Sequence, residues 1–150
     1  MSESLETRTH TALHILKGSV QKVLRAKWTA GVFVEGNHGR LTVQFDRKPT
    51  DSEINEIEML ANNKIKEDTP VEIIEMERKE ADEKFGNIIY DLFPLPSHIT
   101  QLRICNIPDW NINCCNKEHC RSTGEIGWIK LDRPRFKENR KLLEIPFDVI

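Results

Sequence analysis

Thr9-His10-Thr11-Ala12-Leu13-His14-Ile15-Leu16-Lys17-Gly18-Ser19-Val20-Gln21-Lys22-Val23-Leu24-Arg25 carries apolar residues at helical spacing. Leu13, Leu16, Val20, Val23 and Leu24 form one stripe. The spacing predicts a helix over residues 9–25, with Thr7 or Thr9 as its cap. His10 and His14 lie to one side of the stripe, toward Lys17 and Gln21. Helical residues four apart stand about 5–6 Å apart at Cβ, a distance at which two imidazoles can grip one ion. Far along the chain, Cys115-Asn-Lys-Glu-His119 repeats the spacing with a thiol and an imidazole.

Three of the five histidines fall in these two pairs. Each pair alone has a plainer reading. The first fits two surface histidines on a helix, and the second fits a buried thiol beside an unrelated loop histidine. Together they offer three imidazoles and one thiolate, a ligand set suited to Zn²⁺. Ligands drawn from both ends of a chain point to a folded pocket rather than a zinc finger. Cys114 and Cys120 flank the second pair, so the thiolate assignment stays open among three cysteines.

Alternating elements follow the first helix. Val32–Glu35 and Leu41–Phe45 read as a hairpin around Gly36-Asn37-His38-Gly39. A helix starts at Asp51 or Ser52, with Ser52 and Asn55 as start signals and Ile54, Ile57, Leu60, Ala61 and Ile65 at helical spacing. Val71–Met76 reads as a strand and Glu77–Phe85 as a short helix ended by Gly86. Leu92–Pro96 reads as a loop, because two prolines cannot sit in a central strand. Leu102–Cys105, Gly127–Leu131 and Lys141–Phe147 complete the strands. Paired strands interrupted by helices predict an α+β, two-layer helix-on-sheet architecture, and 150 residues predict one domain over 1–150.

Composition excludes several classes. No apolar run approaches ~18 residues, so no transmembrane helix and no membrane partner are expected. Met1–Arg8 has no apolar core and does not read as a signal peptide. Three of the four cysteines crowd into 114–120, unlike a secreted disulfide framework, and this predicts an intracellular, cytoplasmic protein. Net charge is only −2, but it is segregated. Residues 8–34 contain no acid and carry Arg8, Lys17, Lys22, Arg25 and Lys27, whereas residues 51–83 hold twelve acids against four bases. Lys117, Arg121, Lys130, Arg133, Arg135 and Lys137 make 117–137 basic again. Both basic stretches carry metal-ligand pairs. A cationic rim around a metal pocket would attract a polyanion such as RNA, with Lys22, Arg25, Lys27, Lys117 and Arg121 as its candidate contacts. Solvated helix and strand faces are the alternative.

Thr9-His10-Thr-Ala-Leu-His14-Ile-Leu, Cys115-Asn-Lys-Glu-His119 and Thr123-Gly-Glu-Ile-Gly127 resemble the AlaX family of free-standing alanyl-tRNA editing proteins. They also resemble the editing domains of alanyl- and threonyl-tRNA synthetases. The resemblance takes in Lys27-Trp28-Thr29, Phe45-Asp-Arg-Lys-Pro49 and Asp91-Leu-Phe-Pro94. The early first pair resembles the family's short form. The resemblance implies the common editing-domain fold, with His10, His14, Cys115 and His119 as Zn²⁺ ligands and Thr29 facing the amino-acid side chain. It implies hydrolysis of tRNA(Ala) mischarged chiefly with serine. Asn116, Lys117 and Glu118 stand where the synthetase domains have small residues.

That task has a physical rationale. Serine exceeds alanine by one hydroxyl, so an apolar pocket rejects it only by about 10²-fold or less. A second site can select for the hydroxyl by hydrogen-bonding it, and the Thr29 hydroxyl both donates and accepts. Thr29 also reads as a strand-start residue whose hydroxyl bonds the backbone. Glu125 is the candidate catalytic carboxylate for orienting water, with Glu118 beside it as a second. A non-catalytic RNA-binding domain with a structural zinc is the alternative function. A metallopeptidase is disfavoured because no H-E-x-x-H is present.

Overall fold

Ser4, rather than Thr7 or Thr9, caps the first helix, accepting from the Thr7 N–H at 3.1 Å. The computed structural model describes residues 4–150, so the part of the N-terminal reading over residues 1–3 lies outside the described residues. In chain order the elements are α1 (Leu5–Leu24), β1 (Thr29–Glu35), β2 (His38–Gln44), α2 (Asp51–Lys66), β3 (Glu72–Glu77), α3 (Arg78–Phe85), β4 (Gln101–Ile107) and β5 (Asn111–Cys114). A 3₁₀ turn (Thr123–Ile126), β6 (Ile129–Leu131), β7 (Arg135–Lys137) and β8 (Leu142–Val149) follow.

Thr7, Thr9 and Thr11 are buried inside α1. The Thr9 hydroxyl lies 2.9 Å from the Leu5 carbonyl and 2.8 Å from that of Gly36. The helix ends at Arg25, which takes the left-handed conformation (φ 60°) while its N–H bonds the Gln21 carbonyl. Gly18 admits a neighbour no side chain would allow: a Cβ there would lie 2.4 Å from Trp110 Nε1. That indole N–H donates to the Ile15 carbonyl at 2.9 Å.

The strands form two antiparallel sheets. The larger runs β1-β2-β8-β6, with β7 beside β6 along the same edge of β8. The smaller runs β3-β4-β5. Gly36, at φ 59°, opens the two-residue turn between β1 and β2. Helix α1 packs against β1, β2 and β8 of one sheet, β5 of the other, and α2. It is therefore buried on every side from Thr11 to Val20, wider than a single stripe. The main core joins Leu13, Leu16 and Val20 to Leu41, Ile57, Ile145 and Phe147. A smaller cluster of Ala81, Ile89, Leu102 and Ile104 lies beside α3.

The α+β class is as expected, with three helices packed on antiparallel sheets. Helix α2 starts at Asp51, within the expected bounds, but its cap is Thr50 instead of the Ser52 or Asn55 signals. Thr50 and Glu53 form a reciprocal capping box at 3.1 and 2.9 Å. Two strands had no expectation. In β5 the buried positions are Asn111 and Asn113, so the apolar alternation of a strand is missing. β7 is three residues long and holds one apolar side chain.

Candidate metal centre

Two rows of side chains meet across the junction of α1 and the smaller sheet. His10, His14 and Lys17 share one helix face at i, i+4 and i+7. Asn111, Asn113 and Cys115 alternate along β5 and the residue after it, so they share one strand face. The rows engage in pairs. His10 Nε2 lies 2.9 Å from Cys115 Sγ. His14 Nδ1 donates to Asn111 Oδ1 at 3.3 Å. The Lys17 ammonium donates to Asn113 Oδ1. His119 joins from the loop beyond, its Nε2 standing 3.0 Å from His14 Nε2.

Backbone bonds hold that loop. The Cys115 N–H donates to the Arg103 carbonyl at 2.9 Å, extending the ladder past β5. The Arg103 guanidinium donates to the carbonyls of Cys115 and Lys117. The Cys120 N–H donates to the Thr11 hydroxyl at 2.9 Å, fastening the segment after His119 to α1.

The ligand atoms of His10, His14, Cys115 and His119 all lie within 4.8 Å of one another. Zn–N bonds of about 2.0–2.1 Å and a Zn–S bond of about 2.3 Å put tetrahedral ligand atoms roughly 3.3–3.7 Å apart, so the donor set fits one ion. Hydrogen bonding agrees with the fit. Asn111 Oδ1 accepts from the Nδ1–H of His14 and so holds the proton on Nδ1, which leaves Nε2 a bare lone pair aimed into the cluster. His119 Nδ1 is buried and has no partner among the described residues. With Nδ1 protonated, the His119 Nε2 lone pair faces that of His14, an arrangement a cation between them relieves.

Electrostatics keeps the imidazoles neutral, the form that binds metal. Burial, then the Lys17 and Lys117 ammonium groups, lower His10 to about 4. Burial, then His10 and Arg103, lower His119 to about 4. His14 is pushed well below the usual imidazole range, chiefly by burial and then by Lys17. Burial raises the Cys115 thiol, against a lowering hydrogen bond from the Lys117 backbone and the fields of Lys17 and Arg103.

Cys114 and Cys120 lie outside the cluster. Cys114 faces the opposite side of β5 and packs on the smaller apolar cluster, and Cys120 is buried in the main core. Thr29, the first residue of β1, is 5% exposed, and its carbonyl accepts from the Leu92 N–H at 2.8 Å. Its hydroxyl has no hydrogen-bond partner among the described residues. Glu125 is not brought to the cluster. Its Oε1 accepts from the backbone N–H groups of Arg121 and Ser122 at 3.1 and 3.2 Å, capping the 3₁₀ turn. Glu118 lines a cavity of 330 Å³ whose other walls include His10, Val32, Phe33 and Lys117.

The five basic candidates are all exposed. Arg25 and Lys27 line a cleft of 510 Å³ with Gln21, Ile88 and Trp110. Lys22 stands over the Trp110 ring, 5.1 Å from its centroid. Lys117 lies on the His10 side and Arg121 just before the 3₁₀ turn. Sequence reasoning did not single out Asn111, Asn113 or Asp91 as site residues. The two-residue spacing of 111, 113 and 115 was the available signal. Among the described residues no helix is long and apolar enough to cross a membrane.

Fold and cluster define the class: an α+β domain built around three imidazoles and one thiol that can hold a metal ion. No family model matches the chain. It is similar to archaeal alanine–tRNA ligases, being 42% identical over 125 residues to that of Archaeoglobus fulgidus and 38% over 126 to that of Methanopyrus kandleri. To the ligase of Pyrococcus furiosus it is 39% identical over 127 residues. These alignments take in 83–84% of this chain but 14% of each ligase. The chain thus resembles one segment of those enzymes, their editing domain.

Proposed function

We propose that the protein is a free-standing editing hydrolase, of the short AlaX form, that deacylates mischarged tRNA(Ala), chiefly Ser-tRNA(Ala), at a zinc site, and that it acts in the cytoplasm. The observation that carries this reading is the convergence of His10, His14, Cys115 and His119 within 4.8 Å, in a chain related to alanine–tRNA ligases.

His10, His14 and His119 would hold the zinc through Nε2 and Cys115 through Sγ, with Asn111 fixing the tautomer of His14. When bound, zinc supplies Lewis-acid polarisation of a carbonyl or a more acidic water. The reaction adds water oxygen to the ester carbonyl carbon and breaks that carbon's bond to the ribose oxygen. The departing ribose oxygen takes a proton from the attacking water and becomes a hydroxyl, and serine and uncharged tRNA leave. Thr29 would hydrogen-bond the serine hydroxyl, for which its own unpartnered hydroxyl is free. Of the two carboxylates considered for orienting water, Glu118 is the better placed, since it shares a cavity with His10 while Glu125 serves as a cap. Lys22, Arg25, Lys27, Lys117 and Arg121 would meet tRNA phosphates.

A deacylation assay comparing Ser-tRNA(Ala) with Ala-tRNA(Ala) tests the reading, and faster loss of serine is expected. The rival is a non-catalytic RNA-binding domain with a structural zinc. Its support is the closed set of four protein ligands, the usual mark of a structural site. Tight tRNA binding without hydrolysis of any aminoacyl ester would establish the rival.

A further inference from the structure

Asp91 sits between the two features that the editing reading uses. The next residue, Leu92, donates its N–H to the Thr29 carbonyl at 2.8 Å, so Asp91 adjoins the start of β1. Its Oδ1 accepts from Asn113 Nδ2 at 3.2 Å and lies 3.5 Å from the buried Lys17 ammonium. Asn113 stands two residues before Cys115, and Lys17 one helical turn after His14. The second carboxylate oxygen makes no hydrogen bond to any described residue, and the side chain is 42% exposed.

The chemistry of an aminoacyl ester makes this placement informative. One carbon carries the side chain, the ester carbonyl and the α-ammonium, so the groups that receive them must be near neighbours. Thr29 and the metal cluster account for the first two. The cluster's surroundings are otherwise cationic: Lys17, Lys117 and Arg103 all act on its histidines. An ammonium brought there needs a carboxylate, and a charge-assisted hydrogen bond gives it one.

We propose that Asp91 binds the substrate's α-ammonium through the oxygen that Lys17 and Asn113 leave free, a role that rests on the editing reading above. Asp91 is then both the counter-ion of Lys17 and the third point of attachment that fixes the amino acid's orientation.

The test uses two substrates, Ser-tRNA(Ala) and its deaminated counterpart, in which a hydroxyl replaces the ammonium at nearly equal size. The full-length protein should prefer the ammonium form. Asp91→Asn should cut kcat/KM on that form roughly ten- to a hundredfold, with little change on the deaminated form. Asp91→Glu, which keeps the charge, should retain the preference. Zinc content and thermal midpoint are measured on each variant. Equal slowing of both substrates, or no preference in the starting protein, overturns the proposal and leaves Asp91 as the counter-ion of Lys17. Glu6 and Glu118 both line the cavity on the His10 side, and loss of the preference in Glu6→Gln or Glu118→Gln instead also overturns the proposal, moving the ammonium there. If the starting protein hydrolyses neither ester, the editing reading itself fails and takes this proposal with it.

Discussion

His10 Nε2 and Cys115 Sγ stand 2.9 Å apart although 105 positions separate them in the chain. The contact joins the first helix to the end of β5, and two further pairs, His14 with Asn111 and Lys17 with Asn113, extend it. The candidate metal cluster therefore lies on a seam between two packed elements. The neighbours of its ligands are fixed by the same seam.

Zinc should be present at about one ion per chain. Elemental analysis after purification without added metal checks this. Combined His10→Ala and Cys115→Ala should remove the ion, while Cys114→Ala and Cys120→Ala should retain it, since neither sulfur lies in the cluster. Zinc lost on Cys114→Ala and kept on Cys115→Ala would reassign the thiolate.

Metal-free protein should lose stability as the pH falls from about 6.5 toward 4. His10 and His119 are held near 4 in the folded state, against an ordinary value of 6.5. In that window the unfolded chain binds protons that the folded chain excludes, so acid favours unfolding, and the contribution of these groups is flat above it. Thermal midpoints of chelator-treated protein between pH 7.5 and about 4.5 measure the fall. His10→Gln should shallow it, and a midpoint independent of pH would show that the imidazoles protonate without cost.

Thr29→Val keeps the shape of the residue and removes its hydroxyl. Leaving the serine hydroxyl unpaired should cost about 1–3 kcal/mol, or roughly 5- to 150-fold in kcat/KM on Ser-tRNA(Ala). Zinc content should hold, and activity on Ala-tRNA(Ala) should stay level or rise. The ratio of the two rates decides: equal slowing of both substrates would make Thr29 a support of the pocket and not a reader of the side chain.

Binding of tRNA should weaken steeply with salt. Each phosphate contact adds about 0.7–0.9 to the slope of log affinity against log salt. Lys22→Glu and Arg121→Glu, both at exposed positions, should weaken charged and uncharged tRNA alike. A flat salt dependence would exclude these basic residues as the docking surface.

Much of this protein was legible from its sequence because the signals are local. Leu13, Leu16 and Val20 announce a buried helix face by their period, Gly36 a tight turn by its freedom at positive φ, and the two four-residue pairs a ligand set by their spacing. Local chemistry still misled at the helix starts. Ser4 and Thr50 won the caps, while Thr7, Thr9 and Thr11 were drawn inside α1, where the Thr7 hydroxyl accepts from that of Ser4 and the carbonyls four residues back take the hydroxyls of Thr9 and Thr11.

Tertiary packing decided the rest. Which cysteine joins the histidines depends on the pleat of β5, which turns Cys115 toward α1 and Cys114 away. Strand β5 escaped notice because its buried side chains are asparagines, present to bond His14, Lys17 and Asp91. Glu125 has the chemistry of a water-orienting carboxylate, but the fold spends its Oε1 on two backbone N–H groups. Residue types fix what a side chain is able to do. Which partner it meets is set by contacts between distant segments, and those exist only once the helix lies between the sheets.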